Sequence, residues 1–151
     1  MFLNESASSF ERVPLNSSSV DFEVSHIEIN VSSLQNSITF WEFLLKKLGY
    51  EKYQSWERGR SWRKDKFYFV IVQTESKHLF ATYNRKNIGI NHIAFYCNSI
   101  RLVDNIRNEM IEKGYSILYD SKYPHAGSQN EYSFFVEDPD RIKVEIVVPI
   151  S

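Results

Sequence analysis

The chain repeats itself. Ser25-His26-Ile27 recurs as Asn91-His92-Ile93 at an offset of 66, which also sets Ser33-Leu34 on Ser99-Ile100; at an offset of 65, Gly49-Tyr50 falls on Gly114-Tyr115. Strand, serine cap, helix and glycine stop therefore return in the same order. A repeat of this length restricts the fold to two copies of one supersecondary unit, each burying an apolar face that it cannot hide alone.

Residues 22–31 alternate, with Ile27, Ile29 and Val31 on one face and His26, Glu28 and Asn30 on the other. That is a strand with one dry and one wet side. Ser32 and Ser33 offer a helix N-cap, Ile38, Trp41, Leu45 and Leu48 recur at helical spacing, and Gly49 supplies the stop. Residues 50–57, 60–64 and 67–73 read as three more strands, separated by turns at Arg58-Gly59 and Lys64-Asp65-Lys66. The second unit follows suit: a helix through Leu102, Ile106 and Met110, then strands at 116–119, 132–136 and 142–148. The expected fold is α+β, with βαβββ modules at 21–82 and 90–149 joined by a linker at 83–89. Their sheets are expected to pair into one cupped, barrel-like mixed sheet within a single domain, 21–151. Residues 1–20, with six serines and no period, read as an extended arm.

Composition narrows the function classes. At 151 residues the chain has room for one domain with a real core. A net charge of −1 and a pI near 6.4 give no field that would draw it to nucleic acid or a membrane surface. One cysteine, Cys97, excludes an internal disulfide framework and a cysteine-rich zinc site. No apolar run approaches the roughly 20 residues of a membrane helix, and the start lacks the basic-then-apolar pattern of a secretory signal. A cytoplasmic protein with a small-molecule partner is the expectation, and composition does not choose between a monomer and a homodimer.

Two histidines at repeat-equivalent places are the first chemical signal. His26 and His92 each lie on the wetter side of an early strand, and Glu145 does the same in the last strand, opposite Val144, Ile146 and Val148. A carboxylate on an inner sheet face needs a cation or several hydrogen bonds. Two imidazoles and that carboxylate around one divalent metal ion would satisfy all three. A fourth ligand is expected from the strand at 67–73, where Gln73 offers an amide oxygen; Tyr68 and Glu75 are the neighbouring oxygens. Trp56, Trp62, Tyr132 and Phe134 are candidates for lining the pocket, with core packing as their alternative. Arg58 and Arg60 could attract an anion or be solvated turn residues.

The stretch from His26 to Trp41 resembles the first strand and helix of the vicinal oxygen chelate superfamily, which includes glyoxalase I, bleomycin and fosfomycin resistance proteins, extradiol dioxygenases and methylmalonyl-CoA epimerase. Asn91-His-Ile-Ala-Phe and Phe134-Phe-Val-Glu-Asp-Pro-Asp-Arg-Ile-Lys-Val-Glu145 are similar to its second-half signatures, with Arg141 where a glycine is common. Trp56-Glu-Arg-Gly-Arg-Ser-Trp62 is similar to a branch of small bacterial glyoxalase-like proteins. The resemblance covers 22–149 and implies paired βαβββ modules with metal ligands on the first and last strands of each. By position these are His26, His92 and Glu145, with Gln73 as the match in the remaining strand. It further implies a divalent cofactor (Ni, Zn, Co, Mn or Fe) acting as a Lewis acid on a substrate with neighbouring oxygens, with Glu145 as ligand and base. A lyase or isomerase of the glyoxalase type is the first expectation. An extradiol dioxygenase with non-haem iron is the second, with His125 or Tyr132 assisting. A binding protein that sequesters its ligand without turnover is the third.

Overall fold

Strand β1 (His26–Val31) lies parallel to β4 (Phe67–Gln73), and the helix α1 (Leu34–Lys47) makes the crossover that such a pairing requires. Between them β2 (Glu51–Trp56) and β3 (Gly59–Lys64) extend the sheet antiparallel, giving the order β1-β4-β3-β2. The second module repeats the plan with β5 (His92–Tyr96), α2 (Ile100–Glu112), β6 (Ile117–Leu118), β7 (Glu131–Glu137) and β8 (Lys143–Pro149), in the order β5-β8-β7-β6. This computed structural model describes residues 23–150. The arm expected at 1–20 lies outside the described residues.

Local chemistry explains why both helices sit where the repeat predicts. Ser33 Oγ accepts from the Asn36 amide at 3.4 Å, and Ser99 Oγ accepts from that of Leu102 at 3.2 Å. At the far ends Gly49 and Gly114 adopt φ of +86° and +81°. Each lets the next residue, Tyr50 or Tyr115, return its amide to a carbonyl five residues back, that of Leu45 or Met110. The expected strand at 116–119 shortens to two residues, because Tyr119 takes a left-handed conformation (φ +55°) and leads into a turn of 3₁₀ helix at Asp120–Lys122.

The two sheets do not close into one barrel. β1 and β5, each at an edge of its own sheet, share no ladder hydrogen bonds. The modules meet through the sides that their helices cover. The ring of Trp41 on α1 packs 4.4 Å from Phe69 and 6.2 Å from Phe95, and Phe40 meets Tyr115 at 4.9 Å. One continuous core runs through both modules. Its polar lock is Asp138, in the turn between β7 and β8. Oδ2 accepts from Trp41 Nε1 at 3.1 Å, while Oδ1 accepts from the amides of Asp140 and Ile142 at 2.8 and 2.9 Å. Burial pushes this carboxyl up to about 6, against the pull of those hydrogen bonds. Arg141 completes the turn at φ +66°, strained for a residue other than glycine.

Candidate active site

Strand register decides which side chains can share a surface. In module two the partners Ala94 and Glu145 put that carboxylate on the outward face, away from α2, together with His92 and Lys143. β7 adds Ser133 and Phe135 to the same face. His92 Nε2 lies 3.6 Å from Glu145 Oε2. Its Nδ1 is 2.8 Å from Asn91 Oδ1, an atom that can only accept; Nδ1 therefore carries a hydrogen, and Nε2 is the ring nitrogen turned to Glu145. His26 Nδ1 lies 3.2 Å from Ser25 Oγ, a hydroxyl that can donate or accept and so leaves the tautomer open.

Glu145 is the unusual member. It is 7% exposed, and Oε1 has no hydrogen-bond partner. The segment 123–128 folds across it and adds a one-residue bridge between His125 and Ser133. At Gly127 the cover is so close that a β-carbon would stand 2.7 Å from Glu145 Oε1, 2.9 Å from Glu131 Oε2 and 3.1 Å from Ser133 Oγ. A larger residue there would have to push these side-chain ends aside. Burial, aided by the negative charge of Glu131, holds the Glu145 carboxyl above its ordinary value. The cover is anchored behind the sheet, where Tyr123 and Tyr132 both donate to Asp104 of α2, the latter at 2.7 Å. His125 turns Nδ1 to the Glu131 carbonyl at 3.0 Å and belongs to the cover.

Module one presents a different outward face. The partners Glu28 and Val70 stand where Ala94 and Glu145 stand in module two, so the place of the carboxylate is taken by valine. His26 stacks on Tyr68, its neighbour in register, with centroids 4.5 Å apart and planes at 11°. Tyr53 lies 5.5 Å from the ring of Tyr68. The guanidinium of Arg63 sits 5.2 Å over the ring of Tyr53.

Four expectations need correction. Gln73 pairs with Val31 and so lies on the helix side, not beside His26. Its amide clamps the start of α1: Oε1 accepts from Leu34 N at 2.8 Å, and Nε2 donates to the Ser32 carbonyl at 2.9 Å. Trp62 and Phe134 are core residues at 0% and 1% exposure, and Tyr132 faces α2. Of the four aromatic candidates only Trp56 lies on an outward face. Finally, among the described residues no three His, Cys, Asp or Glu side chains are gathered in a metal-binding arrangement. One chain thus brings together His92 and Glu145 but not His26.

Sequence reasoning passed over Tyr53, Arg63, Glu131 and Gly127. Tyr68 was legible, since it alternates with Phe67 and Phe69. Tyr53 was not, because a bulge changes its side.

The donors of module two fit half a divalent cation site. They comprise an imidazole nitrogen turned to a neighbouring carboxylate, and a buried carboxylate oxygen with the Ser133 hydroxyl nearby. Val70 offers nothing from the equivalent place, so the third donor available by sequence is His26.

No family model matches the chain. A relative from Bacillus subtilis (strain 168), "Uncharacterized protein YqjT", is 48% identical over 124 residues, covering 82% of this chain and 97% of the relative. A solved structure described as a "putative glyoxalase" from Bacillus halodurans is 50% identical, with a TM-score of 0.81, covering 83% of this chain and 95% of that one. Lactoylglutathione lyase from Agrobacterium tumefaciens, at 13% identity and a TM-score of 0.58 over 85% of this chain and 94% of its own, shares the fold. Duplicated βαβββ modules, histidines opening the first strand of each and half-identical relatives of nearly the same length lead to one conclusion: this chain belongs to the vicinal oxygen chelate superfamily, alongside the glyoxalase, bleomycin resistance and dioxygenase domain proteins.

Proposed function

We propose that the protein is a cytoplasmic, metal-dependent enzyme of the glyoxalase type, a lyase or isomerase acting on a small substrate with neighbouring oxygens. The observation that carries this reading is Glu145: a carboxylate 7% exposed, one oxygen without a partner, 3.6 Å from an imidazole nitrogen. Burying such a group without use is unfavourable, and structural carboxylates in cores normally have their oxygens satisfied, as Asp138 does here. His92 and Glu145 would hold a divalent ion with His26 of a second copy, were its module-one face to lie against this pair. That arrangement makes the working unit a homodimer. A divalent ion in this place supplies Lewis acidity to a carbonyl or enolate oxygen. Glu145 then takes the proton next to that carbonyl through the oxygen that has no partner. The segment at 123–128 keeps water from the carboxylate.

A specific observation favours a second reading. With valine at position 70 the donor set is two histidines and one carboxylate, the facial set of non-haem iron oxygenases. Metal analysis of the full chain, purified without chelator, separates the readings. Stoichiometric nickel, zinc, cobalt or manganese supports the lyase or isomerase, and stoichiometric iron supports the dioxygenase. A protein without metal that binds its ligand tightly is a sequestering protein, and both enzymatic readings then fall. Glu145→Gln retains the fold and abolishes proton abstraction; unchanged turnover in that variant would remove Glu145 from the base role.

A further inference from the structure

On the outward face of module one, aromatic side chains collect through an irregularity in β2. Side chains three apart on a regular strand point to opposite faces. Tyr53 and Trp56 are three apart, yet both lie on the outward side. The pairing of β2 with β3 shifts between Lys52 and Ser55, so that Lys52 and Ser55 both keep helix-side partners, Trp62 and Arg60. This bulge turns Tyr53 and Gln54 outward together, with Gln54 N bonded to Ser61 Oγ at 3.0 Å. Trp56 pairs with Gly59, and its indole lies on that glycine: a β-carbon there would stand 2.0 Å from the ring. Tyr68 thus adjoins both His26 and Tyr53, while Trp56 lies farther along the same outward side over Gly59, and Val70 is buried beneath at 2% exposure. Tyr53 and Trp56 are 45% and 43% exposed, whereas Trp41 and Trp62 are fully buried.

The rim carries charge. Arg63 donates its Nε to the Asp65 carbonyl at 2.8 Å and lays its plane over Tyr53. Among the described residues it has no carboxylate within ion-pair distance, although Glu51 is its cross-strand partner. By register the place of Arg63 is taken in module two by Glu137, and Lys143, which stands at the place of Tyr68, lies between Phe135 and Tyr119 at 5.3 and 5.6 Å. An arginine fixed at its Nε, with the end of its guanidinium turned to an aromatic surface, is suited to a carboxylate or similar anion on a planar group.

We infer that the outward face of module one is a recognition platform for a planar aromatic anion, gripped by Tyr53 and Trp56 through their rings and by Arg63 through its charge. This deepens the proposed function by naming the class of substrate, and rests on that reading only for what then happens to the ligand. The chemistry stays with His92 and Glu145.

Calorimetric titration of the full chain with 2-naphthoate and, for comparison, uncharged 2-naphthol tests the platform. The expected result is saturable binding of one naphthoate per chain. Tyr53→Ala and Trp56→Ala should each weaken it by about three- to tenfold, the worth of one good aromatic contact. Arg63→Met should weaken naphthoate by about fivefold or more and leave 2-naphthol within about twofold. The same titration on the His92→Ala/Glu145→Gln variant separates platform from metal reading. Retained binding supports the platform even where the metal reading fails, whereas loss in that variant alone puts the ligand on the catalytic pair and overturns the inference. No saturable binding, or binding unchanged in the Tyr53→Ala/Trp56→Ala double variant, also overturns it. Equal weakening of both probes by Arg63→Met means that Glu51 already holds the charge, and the anionic part falls. If the double variant instead turns a dimer into monomers while wild type binds neither probe, the surface is a subunit contact and no platform.

Discussion

At the place where module two carries Glu145, module one carries Val70, and the difference spreads across each sheet. Around Glu145 the chain has built a cover: residues 123–128 cross the face, Gly127 presses on the carboxylate, and the Asp104 cluster anchors the crossing from behind. Around Val70 nothing needs covering, and the face stays open, with exposed aromatic rings and an arginine at its rim. After duplication one sheet keeps the buried donor and its enclosure, and the other keeps an imidazole and a broad surface. The teaching is that two identical frameworks can divide a site between chemistry and grip. On the proposed function neither half is complete, which would give a second copy a physical role.

The largest expected effect breaks this comparison at its centre. His92→Ala or Glu145→Ala removes one of two adjacent donors, and affinity for nickel or zinc, measured by competition with a chromophoric chelator, should fall by about a hundredfold or more. Gln73→Ala should leave that affinity unchanged, because its amide is engaged at the start of α1. Val70→Glu sharpens the contrast: if module one of a second copy faces the pair, the new carboxylate should raise metal affinity by about tenfold or more. No change would mean that the two faces do not meet.

The second effect concerns the turns. β3 and β4 are joined by a tight turn at Asp65-Lys66, with Asp65 at φ +52°; the matching turn of module two is longer and sends Asp138 into the core to hold Trp41 of module one. Burial pushes the Asp138 carboxyl up to about 6 in the folded chain, above the 3.8 of an exposed aspartate. The folded state therefore binds the proton more readily between those values, so its ionisation costs stability as pH rises through that window, and acidification restores it. The size is on the order of 2–3 kcal/mol. Urea unfolding of wild type should gain this amount between pH 6.5 and 4 relative to Asp138→Asn, after other carboxylates cancel in the difference. Parallel curves for the two proteins would show that Asp138 does not titrate in this range.

Much of this was legible in the sequence, for reasons that can be named. The repeat, the caps at Ser33 and Ser99 and the glycine stops are local, and local rules placed both helices and the outward faces of His26, His92 and Glu145. What escaped was nonlocal. The side on which Gln73 falls depends on pairing with Val31, which no single strand reveals. Tyr53 changes face through a bulge that leaves no periodic trace. Trp62, Tyr132 and Phe134 obey the alternation of their strands, but only the register says which phase faces the helix. Closure of the two sheets into one cup was expected from symmetry, yet the contacts that join them formed on the helix side, where Trp41, Phe69 and Phe95 pack together.

The smallest effect tests that lesson at one residue. Gln73 stands where module two has Val148: each lies three residues beyond the Val70 and Glu145 places and faces its helix. The amide of Gln73 satisfies Leu34 N–H and the Ser32 carbonyl, whereas α2 begins on Ser99 alone. Gln73→Val would make the modules alike and strand a part-buried donor and acceptor, at a cost of about 1–2 kcal/mol. The same substitution in reverse, Val148→Gln, brings a polar group to a helix start that has no place prepared for it, and should also destabilise. Thermal unfolding of both variants measures the pair. If Gln73→Val is neutral, the clamp is incidental, and module one would need no more than its serine cap to begin α1. If it destabilises while metal affinity holds, the residue that spacing had offered as a ligand is a support of the strand-to-helix corner at Ser32–Leu34, which closes the strand that His26 begins.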